Sequence, residues 1–104
     1  MTPSGPLDDA PRAPEARPPL AVAYVAPRDP REARVARIWE EVLAIAPIGV
    51  DDDFFDLGGA SLQAFAVIAR VQRDFGVALS PRDLFGQGTV AAMSARIASL
   101  VAPA

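Results

Sequence analysis

The sequence contains no histidine, no cysteine and no lysine. Without histidine or cysteine, the chain has no Ser-His or Cys-His catalytic couple, no disulfide framework and no zinc site. Without lysine, it has neither the lysine of a phosphate-binding P-loop nor a lysine that could form a Schiff base. We therefore predict that the chain is not an enzyme in its own right and that it holds no metal.

Charge and hydropathy exclude two further classes of partner. The 104 residues carry a net charge of −3, so no basic face is expected to neutralise a phosphate backbone, and nucleic acid is not expected as a partner. No apolar run approaches the roughly 18 residues of a membrane span, and no signal-peptide core is present. We expect one small monomeric domain that has no membrane partner and is cytoplasmic.

Proline divides the chain into an arm and a domain. Eight of the 11 prolines lie in the first 30 residues, and each removes an amide donor and restrains the residue before it. Residues 1–29 are therefore expected to form an extended, poorly packed Pro/Ala-rich arm or linker. Its one apolar patch, residues 20–25, could fold back on the domain. The patch is not expected to join a larger sheet, because no partner strand follows it.

After the arm, apolar residues recur at three- and four-residue spacing, which predicts helices. The first helix is expected to begin at Pro30, with Asp29 as its N-cap, and to end before Pro47. A long connection over residues 47–60 follows. The apolar stripe of this helix consists of Val35, Ile38, Trp39, Val42 and Ile45.

Three further helices follow the connection. The second helix is expected over residues 61–75, where Gly76 ends it as a left-handed C-cap. A short helical turn over residues 82–85 comes next. Thr89 is expected to cap a last helix, which ends before Pro103.

The expected fold class is all-α. Three main helices and one short helix pack as a small bundle, and an extended Pro-rich arm precedes them. We divide the chain into this arm, a four-helix domain and a tail, which cover residues 1–29, 30–101 and 102–104.

Two familiar site patterns do not fit this sequence. Residues 86–91 match G-x-G-x-x-A, but a dinucleotide site needs a strand before the motif and an acid about 20 residues after it. The acidic run over residues 51–53 lacks suitable residues at the fifth, sixth and twelfth positions of an EF-hand calcium loop. Two interpretations of the run remain: a solvated loop that favours the following helix terminus, or an acidic face for a basic partner.

Ser61 stands where the second helix is expected to begin. A serine at this point is an ordinary N-cap, and this interpretation stays open. Its neighbours indicate more, since Gly58 and Gly59 free the backbone beside the hydroxyl. The positive end of the helix favours a phosphate there, and without a nearby base the hydroxyl is better suited to modification by another enzyme than to attack. Three apolar residues are expected to anchor the loop in the core: Phe54, Phe55 and Leu57.

The residues around this serine form a motif. Residues 53–62, Asp-Phe-Phe-Asp-Leu-Gly-Gly-Ala-Ser-Leu, resemble the phosphopantetheine attachment motif of carrier proteins, D-x-F-F-x-L-G-G-x-S-L. The double glycine is similar to that of the peptidyl carrier domains of nonribosomal peptide synthetases. This sequence differs from such carriers at Ala60, where they commonly have Asp or His. We expect this difference to affect which partner enzymes the domain binds. The resemblance to these carriers extends over residues 24–101. Five further segments look like those of the family and follow in the same order, namely residues 24–28, 38–43, 49–52, 84–85 and 89–90.

The resemblance implies a covalent cofactor and a set of partner enzymes. A phosphopantetheinyl transferase would use coenzyme A and magnesium to attach 4′-phosphopantetheine to Ser61. The thiol of the cofactor would carry an aminoacyl or peptidyl group as a thioester, loaded by an adenylation domain and passed to condensation, tailoring or thioesterase domains. The expected docking residues are Gly59, Ala60, Leu62, Ala66, Leu84 and Phe85. For Leu84 and Phe85, core packing is the alternative.

Three alternative functions differ in what they require of Ser61. An acyl or aryl carrier protein of a polyketide or related pathway shares the fold and the cofactor, although the double glycine and the Phe-Phe pair weigh against an acyl carrier. A non-catalytic helical interaction module keeps Ser61 as a cap, so its replacement by alanine would cost about 1 kcal/mol. A small hydrolase would use Ser61 as a nucleophile, which the absence of histidine makes remote.

Overall fold

The computed structural model describes residues 15–86 and 88–101, which form four helices and two very short strands. The predicted all-α bundle of three main helices and one short helix is confirmed. Residues 1–14 of the predicted arm and the predicted tail over residues 102–104 lie outside the described residues. The strands are β1 (Glu15–Ala16) and β2 (Ile45–Ala46), and the helices are α1 (Pro30–Leu43), α2 (Ser61–Phe75), α3 (Pro81–Gly86) and α4 (Val90–Val101).

Helix α1 begins as predicted and ends earlier than predicted. Asp29 is its N-cap, because the Asp29 Oδ1 atom accepts a hydrogen bond from the Glu32 amide at 2.8 Å. The helix ends at Leu43, after which Ala44 adopts a left-handed conformation with a φ of 56°. The predicted end near Pro47 is therefore wrong. The turn occurs at an alanine, a residue type that gives no turn signal in a sequence.

Helix α2 has the predicted bounds. Gly76 follows it in the left-handed conformation, and the Gly76 amide donates to the Gln72 carbonyl at 2.8 Å. Two large apolar residues of this helix, Leu62 and Phe65, face outward. The residues that α2 buries are instead Ala64, Val67, Ile68 and Val71.

The core lies between α1, α2, α4 and the loop that joins α1 to α2. Within it, Trp39 and Phe54 pack edge to face with ring centroids 5.2 Å apart. Thr89 caps α4 as predicted, since its Oγ1 atom accepts a hydrogen bond from the Ala92 amide at 3.1 Å. Other fully buried side chains of the core are those of Ile38, Ile48, Leu84, Met93 and Ile97.

The described part of the arm packs on the domain. Leu20 and Val25 contact the core, and the Val50 amide donates to the Val25 carbonyl at 2.8 Å. Strand β1 also pairs in parallel with β2. The apolar patch over residues 20–25 thus folds back on the domain at Leu20 and Val25, because the carbonyls of this segment remain free to accept hydrogen bonds from the loop even where prolines remove donors.

Candidate functional site

The loop that joins α1 to α2 is held against the start of α4. The Phe54 amide donates to the Gly88 carbonyl at 2.7 Å, and the Ala91 amide donates to the Val50 carbonyl at 2.9 Å. These hydrogen bonds connect two points of the loop to the segment that begins α4. The loop therefore reaches α2 along a fixed path and presents Ser61 at a defined position.

The acidic run of the loop contains a buried charge. Asp52 is fully buried, and its carboxylate accepts hydrogen bonds from Arg17 Nε at 2.7 Å, Arg17 Nη2 at 2.6 Å and the Gly49 amide at 2.8 Å. The hydrogen bond to Asp52 raises the pKa of Arg17. The interpretation of the run as a solvated loop is wrong for Asp52, because a guanidinium from the arm compensates its burial. Asp53 Oδ2 closes the following turn by accepting from two amides, at 2.9 and 3.1 Å.

The two glycines before the serine are required by the path of the loop. A Cβ atom at Gly59 would overlap the Phe54 ring, which leaves no space for a side chain there. Gly58 has a φ of 94°, a conformation that other residues rarely adopt. The backbone freedom predicted at this point is used by Gly58, whereas Gly59 is needed for close packing.

Aromatic rings connect the core to the surface at α3. Phe54 packs edge to face on Phe55, with centroids 5.3 Å apart, and Phe55 stacks on Phe85 at 5.5 Å. Phe54 and Leu57 are buried and anchor the loop as predicted. The prediction is wrong for Phe55, which is 39% exposed because it packs on an aromatic ring of α3 at the surface.

Ser61 is the first residue of α2 and not its N-cap. The cap position belongs to Ala60, whose amide donates to Gln63 Oε1 at 2.9 Å. Within the described ranges, the Ser61 side chain makes no hydrogen bond, and the amides of Ser61, Leu62 and Gln63 have no acceptor. The interpretation of Ser61 as a cap is therefore wrong. The residue is exposed, and it begins the helical turn whose first three amides are unpaired.

Exposed apolar side chains stand on the first turns of α2 and on α3. Leu62 is 82% exposed and Phe85 is 48% exposed, so the interpretation of Phe85 as a core residue is wrong. Leu84, in contrast, is fully buried, so its expected part in docking is wrong and it packs in the core. Ala60 and Ala66 are exposed, and Gly59 is half-buried. We use the term apolar surface for Ala60, Leu62, Ala66 and Phe85.

Two residues of α2 close to Ser61 were not among the predicted site residues, although their spacing could have indicated them. Phe65 is 51% exposed and stands three residues after Leu62, which places both on one face of α2. Gln63 stands three residues after Ala60, the spacing at which a glutamine side chain reaches back to the N-cap amide. Both residues therefore belong to the surroundings of Ser61.

Neither a metal site nor a membrane span is found in residues 15–86 and 88–101. No group of three or more potential ligand residues in these ranges could hold a metal ion. None of the helices in the described part of the chain is both long and apolar enough to cross a membrane.

The residues that build this site match a known family. The family model described as a phosphopantetheine attachment site covers residues 33–97. The chain belongs to this family. The matched range includes the loop, α2 and α3 together with most of α1 and α4, so the motif around Ser61 and the fold that holds it are matched together.

The curated relatives of this carrier domain include a synthase of a nonribosomal peptide. Tyrocidine synthase 3 from Brevibacillus parabrevis is 42% identical over 100 residues, which cover 95% of this chain and 2% of that protein. The chain spans only 1% to 4% of the length of the curated relatives it matches. The similarity therefore concerns one domain of much longer proteins.

Two solved structures similar to the carrier domain contain partners. A structure of the phosphopantetheine transferase Sfp in complex with coenzyme A and a peptidyl carrier protein is 43% identical, with a TM-score of 0.72 over 73% of this chain and 99% of that chain. A structure of McyG A-PCP complexed with phenylalanyl-adenylate is 31% identical, with a TM-score of 0.69 over 71% of this chain and 12% of that chain. Carrier domains of this fold thus occur with a transferase and with an adenylation domain.

The carrier domain is of the peptidyl type, and phosphopantetheine is its cofactor. It carries phosphopantetheine-linked intermediates and has no catalytic role of its own. The prediction of a peptidyl carrier is therefore confirmed, and the two alternatives of an interaction module and a hydrolase are rejected.

Proposed function

We propose that Ser61 is the residue to which phosphopantetheine is attached. The main support is its position as an exposed serine at the first residue of α2, inside the range that the family model matches. The other serines of the described residues are less suitable. Ser94 is buried, and the hydroxyls of Ser80 and Ser99 donate hydrogen bonds to Asp83 and to a backbone carbonyl.

The start of α2 fits a phosphate diester. The unpaired amides of Ser61, Leu62 and Gln63 lie at the positive end of a 15-residue helix, where an anion is favoured. The first turn of α2 carries no acidic residue that would oppose it. Gly58 and Ala60 are exposed and small, so they leave space beside the hydroxyl. When bound, phosphopantetheine supplies the thiol that this cysteine-free chain lacks.

The partners follow from the role of a peptidyl carrier. A phosphopantetheinyl transferase modifies Ser61, an adenylation domain then loads an aminoacyl group, and condensation, tailoring or thioesterase domains take over the aminoacyl or peptidyl group. These enzymes bind the apolar surface, with Gly59 at its edge, because exposed apolar patches formed by side chains such as Leu62 and Phe85 mark interaction sites. Tethering keeps the carried group at a high effective concentration near each partner.

The unit that folds as the carrier domain extends further towards the N-terminus than residue 30. The contacts of Arg17, Leu20 and Val25 with the loop and the core support residues 17–101 as this unit. A chain shortened to begin at Pro30 would therefore expose Asp52 and part of the core.

Intact mass spectrometry tests the attachment. The chain is incubated with coenzyme A, magnesium and a broad-specificity phosphopantetheinyl transferase. We expect the mass of one phosphopantetheine to be added to the unmodified chain and to Ser99→Ala, which removes another exposed serine, and none to be added to Ser61→Ala. Addition to Ser61→Ala, or no addition to an unmodified chain, would contradict the proposal.

A further inference from the structure

Arginines line a groove between α1 and α2 with a volume of about 360 Å³. They are Arg34, Arg37, Arg70 and Arg73, and we call this feature the arginine groove. Arg70 and Arg73 stand nine and twelve residues after Ser61 on α2, which places them about 13 and 18 Å further along the helix axis. A molecule bound in this groove would therefore leave the Ser61 hydroxyl accessible.

Two carboxylates neutralise only half of the positive charge in the groove. Glu41 pairs with Arg37 at 3.2 Å and with Arg70, and Asp74 pairs with Arg34 at 2.9 Å. Four guanidinium groups against two carboxylates leave an excess of two positive charges, in a chain whose net charge is −3. The groove thus carries a local excess of positive charge although the chain as a whole is acidic.

The guanidinium groups at the rim of the groove have unused donors. Arg37 and Arg73 have side chains that are 71% and 70% exposed, and each reaches its carboxylate through Nε alone. Among the described residues, the terminal nitrogens of both have no acceptor. Such a fork of donors matches a carboxylate in a bidentate geometry.

We propose that the arginine groove binds an acidic segment of polypeptide through the carboxylates of its side chains. The charge of the groove is complementary to such a segment, and its charged lining differs from the mostly apolar lining of small-molecule pockets. The relatives are proteins many times longer than this chain, so an acidic segment of the same polypeptide would be present at a high effective concentration. Such a contact would hold the carrier domain in place while Ser61 remains available to enzymes.

The test is a titration of the isotope-labelled 104-residue chain with an acetylated octapeptide of alternating glutamate and serine, followed by NMR. Arg37→Glu/Arg73→Glu reverses two charges inside the groove, and Arg31→Glu/Arg82→Glu makes the same change in net charge outside it. We expect amide shifts in residues 34–41 and 70–74. Affinity should fall about tenfold for the first variant and less than twofold for the second, and added salt should weaken binding.

Several outcomes would overturn this proposal. They are the absence of binding, shifts confined to other residues, equal weakening in both variants, equal affinity for a glutamine version of the peptide, and tighter binding of a single-stranded oligonucleotide of equal charge. Should the first variant lose its helical circular dichroism, Arg37→Gln/Arg73→Gln replaces it. The mass gain at Ser61 should persist in every variant, so a failure of the groove is distinguishable from a failure of the attachment site.

Discussion

Arg17 and Asp52 lie 35 residues apart in the sequence and are joined by two hydrogen bonds, from Nε to Oδ2 at 2.7 Å and from Nη2 to Oδ1 at 2.6 Å. The Asp52 side chain is fully buried, and that of Arg17 is 16% exposed. The pair joins the arm to the loop that leads to Ser61. The position of this loop therefore depends on a residue that lies outside the helical bundle.

Replacing Arg17 by alanine should destabilise the fold, because the buried Asp52 carboxylate would keep only an amide as its partner. We expect a lower urea midpoint for Arg17→Ala than for Arg37→Ala, which removes only an exposed ion pair. The double variant Arg17→Ala/Asp52→Ala should lose less stability than the two single variants together. Additive losses would show that the two side chains do not stabilise each other.

Ser61→Ala should change the free energy of unfolding by less than about 0.5 kcal/mol, as expected for an exposed side chain without hydrogen bonds. Thr89→Ala is the matched comparison, because the Thr89 hydroxyl does cap a helix, and it should cost about 1 kcal/mol. Urea denaturation followed by circular dichroism measures both values. A loss at Ser61 as large as that at Thr89 would restore the interpretation of Ser61 as a cap.

Neighbouring residues of α3 should respond to truncation in opposite ways. Phe85→Ala removes an exposed ring of the apolar surface and should lower the kcat/KM of the phosphopantetheinyl transferase about tenfold while the fold persists. Leu84→Ala removes a buried side chain and should cost about 2 to 5 kcal/mol of stability. Leu100→Ala, an exposed apolar residue of α4, is the control for kcat/KM. An equal loss of kcat/KM in Leu100→Ala would contradict a specific role of Phe85.

Stability should depend on pH through Glu32. Its carboxylate accepts hydrogen bonds from Arg28 Nη2 at 2.6 Å and from the Arg28 amide at 2.8 Å, which hold the pKa of Glu32 below its ordinary value. The ionised form therefore stabilises the fold. This contribution is complete above about pH 4.5, the ordinary glutamate pKa, and is lost as the pH falls through the lower value of the folded state.

Glu32→Gln isolates this contribution. The difference in urea midpoint between the unmodified chain and Glu32→Gln should be largest at neutral pH and should shrink in acid. Protonation removes the negative charge of Glu32, which glutamine lacks at every pH. A difference that stays constant with pH would show that the ionisation of Glu32 does not contribute.

Local features of the fold could be predicted from the sequence. Asp29, Gly76 and Thr89 act on backbone groups within one helical turn, so residue type and spacing were sufficient to place them. The start of α2 at Ser61 was also predicted correctly, although the Ser61 side chain does not cap the helix. The motif around Ser61 is also contiguous, and it therefore indicated the candidate site without any knowledge of tertiary contacts.

Features that depend on distant segments could not be predicted. The burial of Asp52 depends on Arg17, whose position in a proline-rich segment gave no sign of a partner. Helix α3 has only six residues, too few for periodicity to decide which of Leu84 and Phe85 faces the core. The end of α1 depends on the left-handed conformation of Ala44, for which an alanine gives no signal.

The attachment of the arm also determines how force passes through the molecule. A pull on the chain at Glu15 is transmitted first to β2 through the paired strands, then to Asp52 through Arg17, and to Val50 through Val25. The load thus reaches both the start of α1 and the loop that precedes Ser61 in the chain. A movement imposed on the N-terminal side would therefore turn the loop and the helices as one body, and the serine would keep its orientation relative to the apolar surface.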